Sequence, residues 1–153
     1  MLHPVIVHFA IALLSTAIVL DLLYLLSGKE QFRQVSKYLL IAGTLSAVGA
    51  VLSGNHEVQS IQKIPEFEQL IESHQTSGTW TMWIFIAVTI LRFVFEKFRF
   101  FSKPLKWIYY LLGVIALVFL FRTGFLGGEM VYIHGIGTSQ TKKAPLSKPS
   151  FER

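Results

Sequence analysis

The sequence predicts an all-α, integral membrane four-helix bundle with up-down topology, and three observations carry that expectation. Of 153 residues, 52% are hydrophobic and only 15% are charged, where a soluble domain carries about a quarter. The mean hydropathy is +0.53. The apolar residues are gathered into four long runs, comparable with the roughly 20 residues a helix needs to cross a bilayer.

The first helix is predicted over about 4–26, where Val5 to Leu26 is interrupted by His8 and Asp21. Pro4 suits a first helical position, because its missing N–H has no partner there in any case. The run has no charged segment before it and no small-residue cleavage pattern after it, so it reads as a retained span and not as a signal peptide. The second helix, about 36–54, is short and rich in Ala, Gly and Ser. The third, about 66–97, starts outside the lipid: Ile61, Ile64, Phe67, Leu70 and Ile71 recur at helical spacing, and Pro65 can open the helix. Its apolar part runs from Thr79 to Phe95, with Arg92 near the end. The fourth, about 105–128, contains Arg122. Backbone groups in hydrocarbon must be satisfied within the segment, which makes these runs helices. Residues 1–137 are expected to form the transmembrane domain, and 138–153 (TSQTKKAPLSKPSFER) are predicted to be a disordered basic tail.

Charge sets the orientation. The loop after the first helix carries Lys29, Arg33 and Lys37, and the loop after the third carries Lys97, Arg99, Lys103 and Lys106. The middle loop has only Lys63 and the N-terminus none, so both termini are expected on the outer side. The net charge of +5 is thereby assigned to topology and anionic lipid, and no nucleic-acid partner is expected. The absence of cysteine excludes disulfides, iron–sulfur clusters and covalent c-type haem.

This topology brings all five histidines to one end. His3 and His8 open the first helix, His56 follows the second, His74 precedes the third and His134 follows the fourth. His8 falls about one turn inside the helix, roughly 6 Å from its start. An ionisable residue within a span is a functional candidate by default. The stripes Ala42, Ser46, Gly49, Ser53 and Gly113, Ala116, Leu120, Gly124, Gly128 are small enough for close helix approach or for a flat cofactor. Asp21 and Arg92 fall at similar depth near the opposite end, where a structural ion pair is expected, with Glu96 one turn away from Arg92.

The stretches HPVIVHFAIALL at 3–14 and GFLGGEMVYIHGIG at 124–137, with His74 between them, resemble the bacterial membrane family called domain-of-unknown-function 2231. The resemblance covers residues 2 to about 137. It puts His3, Pro4, His8, His74, Gly127, Gly128, Tyr132, His134 and Gly135 at the family's motif positions, and it implies four helices in a bacterial cytoplasmic membrane. Ala10 stands where the family has proline, Met130 stands for leucine, and His56 belongs to no motif.

Two cofactor chemistries follow. Non-covalent haem b, held between imidazoles of different helices, would make the chain an electron-transfer protein or accessory subunit. His8 and His74 are the expected axial ligands, with His134 and His3 as alternatives and Arg122 set to meet the propionates. The partners would be membrane lipid, other membrane redox subunits or a periplasmic electron carrier. The alternative is zinc or copper on the same histidines, His56 among them, with Glu129 and Glu57 as further ligands or bases. A third reading is a cofactor-free structural subunit. Phosphate loops, nucleophile triads and compact helical metal motifs are absent from the sequence.

Overall fold

The computed structural model describes residues 3–60, 67–102 and 104–136. It contains α1 (His3–Ser27), α2 (Glu30–Ser60), α3 (Glu68–Lys97) and α4 (Lys106–Tyr132), with a 3-10 turn at Phe100–Ser102 between α3 and α4. All four helices are long and apolar enough to cross a membrane. The expected start of α3 at Pro65 and the basic tail lie outside the described residues.

Local chemistry sets where the helices end. α1 stops at Gly28, whose φ of +67° suits the left-handed region and whose N–H closes on the Tyr24 carbonyl at 2.8 Å. A two-residue connection then turns the chain back. α2 begins at Glu30, six residues before its expected start, and continues past the expected end to Ser60. Its first turns are mostly polar but helical, held in part by the ion pair between Glu30 and Arg33; apolar content finds a span, not the full helix. α4 ends where Gly135, with φ +64°, donates to the Val131 carbonyl at 3.2 Å.

α2 and α3, at 31 and 30 residues, are each roughly 45 Å long, longer than a hydrocarbon layer of about 30 Å. Their joined ends therefore extend past it, and there Gln75 Nε2 donates to Asn55 Oδ1 at 3.2 Å.

Each helix packs on its chain neighbours, and α1 closes the ring on α4. In lipid no hydrophobic gain separates helix–helix from helix–lipid contact, so close approach through small residues decides the packing. Gly43 sits against Leu14, Gly49 against Ile6, Gly113 against Ile18 and Gly124 against Ile11. Of the expected α2 stripe, Ala42 is instead exposed and Ser46 bonds back to the Ala42 carbonyl of its own helix. Leu14, Ala17, Leu40, Phe85, Val88 and Ala116 fill the centre with almost no exposure. The outward surface is equally apolar, with Leu45, Trp83, Val118 and Phe125 all exposed, as lipid requires.

At the end that carries the α1–α2 and α3–α4 connections lies a buried polar cluster drawing on all four helices. Arg92 Nη1 donates to Asp21 Oδ1 at 2.7 Å and to the Tyr109 hydroxyl at 3.3 Å, and Nη2 donates to the Arg33 carbonyl. Its Nε donates to Glu96 Oε1 at 3.0 Å, while Lys37 Nζ donates to Glu96 Oε2 at 2.8 Å. The Tyr109 hydroxyl donates to Asp21 Oδ2. The expected Asp21–Arg92 pair is present, and Glu96 shares the guanidinium instead of competing for it. Phe101 covers the guanidinium, with its ring centroid 5.3 Å from Arg92 Cζ.

Candidate functional site

The opposite end holds the start of α1, the end of α2, the start of α3 and the end of α4, and with them all five histidines. Two of the rings face inward. His3 Nδ1 lies 2.9 Å from Ser53 Oγ, and that hydroxyl is 3.0 Å from the Ala50 carbonyl. A carbonyl only accepts, so the Ser53 proton goes to Ala50 and its oxygen accepts from His3 Nδ1–H. This assignment, made from the hydrogen-bond network, leaves Nε2 with its lone pair free. The ring lies against Gly54, where an added Cβ would stand 2.9 Å from His3 Cε1.

His74 repeats the arrangement on the other helix pair. An added Cβ at Gly127 of α4 would stand 3.0 Å from His74 Cε1. The His74 ring lies near the Thr123 main chain and within electrostatic reach of His3. Its Nδ1 is buried without a hydrogen-bond partner among the described residues. Below it, the hydroxyls of Ser77 and Thr81 meet that of Thr123 at 2.8 and 2.9 Å, joining α3 to α4. Sequence reasoning missed this hydroxyl cluster. Its signal is the continuation of His74 in steps of three and four through Ser77 and Thr81.

The remaining expected ligands stand elsewhere. Five residues at about 100° each turn His8 roughly 140° round α1 from His3. His8 is exposed on the outward side beside Pro4, Val5, Phe9 and Ala12, with Nδ1 donating to the Pro4 carbonyl at 2.6 Å. His8, expected as an axial ligand together with His74, turns outward, while the inward side of α1 passes through His3, Ala10, Leu14 and Asp21. His56 and Arg122 are exposed. His134, half-buried, packs on Phe67 with ring centroids 4.9 Å apart, which ties the end of α4 to the start of α3. Among the described residues no three His, Asp or Glu side chains group closely enough to hold a bare metal ion.

The end of α4 that presents Gly127 and His134 and the start of α1 that presents His3 and His8 are the two segments that carry the motifs of the resemblance. The family described as a predicted membrane protein (DUF2231) matches residues 1–140. No curated protein and no solved structure matches the chain. With the whole described bundle inside that match, the chain belongs to the DUF2231 family of membrane proteins.

Proposed function

We propose that the protein is an electron-transfer protein, or a subunit of a membrane redox complex, that holds b-type haem between His3 and His74 at the periplasmic side of a bacterial inner membrane. The observation that carries this reading is the pair of inward imidazoles on α1 and α3, each seated on a glycine of the next helix. His3 has its tautomer set by Ser53, and His74 has a buried ring nitrogen with no partner among the described residues. An outer hydrogen bond that fixes one ring nitrogen and leaves the other free is what metal-ligating histidines commonly have.

The donor set favours haem over a bare ion. A structural zinc site takes four protein ligands and a catalytic one takes three, whereas haem brings its own four nitrogens and asks for two axial ligands. Two inward imidazoles therefore suit haem better than zinc or copper. Haem, when bound, supplies a one-electron couple. The chain's own part is to present His3 and His74, to hold the His3 ring through Ser53, and to keep lipid and water from the His74 side through the α3–α4 hydroxyl contacts.

The test is the visible spectrum and metal content of the full-length protein purified from haem-replete cells. A Soret band that His3→Ala and His74→Ala each abolish, and that His8→Ala leaves intact, supports the proposal. A folded, colourless and metal-free preparation ends it. That result would favour a cofactor-free scaffold, a reading served by the same imidazole–glycine contacts acting purely in helix packing.

A further inference from the structure

We propose that the end of the bundle opposite the histidines binds the phosphodiester headgroup of an acidic phospholipid between the α1–α2 and α3–α4 turns. The inference starts from the state of the carboxylates there. Glu30 is engaged by Arg33, Glu96 by Lys37 and Arg92, and Asp21 by Arg92 and Tyr109. Lys29, Lys97, Arg99 and Lys106 then have no carboxylate partner among the described residues. Four cations thus share one end of the molecule with no acid left to neutralise them.

Depth identifies the anion. Lys97 Nζ lies 5.8 Å from the Phe98 ring centroid and Lys106 Nζ lies 5.6 Å from that of Trp107. Both rings are more than half exposed, Phe98 at 55% and Trp107 at 58%, and exposed aromatic residues at span ends settle at headgroup level. The cations beside them are held at that same level, where phosphodiesters are. The two turns also meet: the Arg33 guanidinium lies 5.5 Å from the Tyr24 ring of α1 and 6.0 Å from the Phe101 ring of the 3-10 turn. Arg99, at φ +55°, is a non-glycine residue in the left-handed region, a conformation that fixes where its side chain leaves the turn.

The experiment uses the full-length protein in nanodiscs of phosphatidylcholine with a minor fraction of phosphatidylglycerol, and native mass spectrometry counts the lipids retained. Wild type is expected to retain phosphatidylglycerol in several-fold excess over its share of the bilayer. The variant Lys97→Gln/Arg99→Asn/Lys106→Gln, with asparagine chosen because it tolerates the left-handed backbone, is expected to fall to the bulk ratio, and Lys97→Gln alone to lose part of the excess. Lys142→Gln/Lys143→Gln in the tail is expected to keep it. The proposal is overturned by a wild type at the bulk ratio, by an excess that follows the tail lysines, by inorganic phosphate displacing the lipid at equal concentration, or by polyglutamate binding where phosphatidylglycerol shows no excess. These lipid counts do not depend on haem, so the two proposals fail separately.

Discussion

Arg92 crosses the diagonal of the bundle from α3 to reach Asp21 on α1, Nη1 to Oδ1 at 2.7 Å, with both residues almost wholly buried. The same two helices carry His74 and His3. Asp21 stands eighteen residues after His3, and Arg92 stands eighteen after His74. Eighteen residues are five turns and roughly 27 Å of helix, close to the hydrocarbon thickness of about 30 Å. Each helix therefore presents one polar group inward at each end of a single face. Phe85, Val88 and Leu14 fill the space between the two levels.

Removing one partner of the buried pair is expected to cost far more than removing both. The charges of Asp21, Arg92, Glu96 and Lys37 sum to zero, and Arg92→Met leaves Asp21 uncompensated at an almost wholly buried position. The expected loss is about 3–5 kcal/mol, read as reversible unfolding in bicelles. The double variant Asp21→Asn/Arg92→Met is expected to recover part of that loss, giving a favourable coupling energy in the cycle. Single variants that cost no more than an exposed ion pair, about 1 kcal/mol or less, would contradict the burial.

Tyr109→Phe isolates the hydroxyl from the ring. The ring stays packed on Phe101 and Phe95, at 5.2 and 6.1 Å between centroids, while Asp21 Oδ2 loses its donor. A hydrogen bond to a charged group contributes about 1.5–3 kcal/mol, and a loss in that range is expected in the same unfolding measurement. Substitution of the neighbouring Tyr110 by Phe serves as the control, since no hydrogen bond joins Tyr110 to Asp21 or Arg92 among the described residues.

How much of this was legible in the sequence follows from what lipid does to pattern. The four spans, the Asp21–Arg92 pair and the gathering of the histidines follow from apolar runs and alternating direction. The facing of His8 does not. α1 is apolar all round, because its outward side meets lipid and its inward side meets other helices, so no periodic contrast marks which side is in. His8 stands out as a polar residue in an apolar run, yet it turns outward. The five-turn spacing of His3 to Asp21, matched by His74 to Arg92, is the signal that would have chosen His3. The true extent of α2 was hidden for the opposite reason: Glu30 to Ser36 are helical but mostly polar, with only Phe32 and Val35 apolar, too few to extend an apolar run.

Glycine substitutions should separate contact from propensity. Alanine at Gly43 would place Cβ 2.7 Å from two Leu14 side-chain atoms and 3.1 Å from its backbone nitrogen. Backbone cannot yield cheaply, so a loss of about 1–3 kcal/mol is expected from overpacking. At Gly78 the nearest atom would be Thr123 Cγ2 at 3.6 Å, an ordinary contact. There the higher helix propensity of alanine, up to about 1 kcal/mol, is expected to raise stability. Thermal unfolding in one detergent compares the two, and equal effects would contradict a close approach of Gly43 to Leu14 at the α1–α2 seam.

The glycines under the two histidines give the sharpest test of the site's geometry. Gly54→Ala would press a methyl to 2.9 Å from His3 Cε1, and Gly127→Ala one to 3.0 Å from His74 Cε1. In each case the atom met is the far edge of a ring that can swing aside, so the fold is expected to survive with a loss at the lower end of the overpacking range, about 1 kcal/mol. The rings themselves must move. In protein labelled with nitrogen-15 at histidine, Gly54→Ala is expected to shift the His3 resonances and break the Nδ1 bond to Ser53, and Gly127→Ala to shift those of His74. The His8 resonances should stay in place, because that ring points away from both glycines. Unchanged His3 and His74 signals in well-folded variants would mean that the imidazoles do not rest on α2 and α4, and the inward pair would be lost with them.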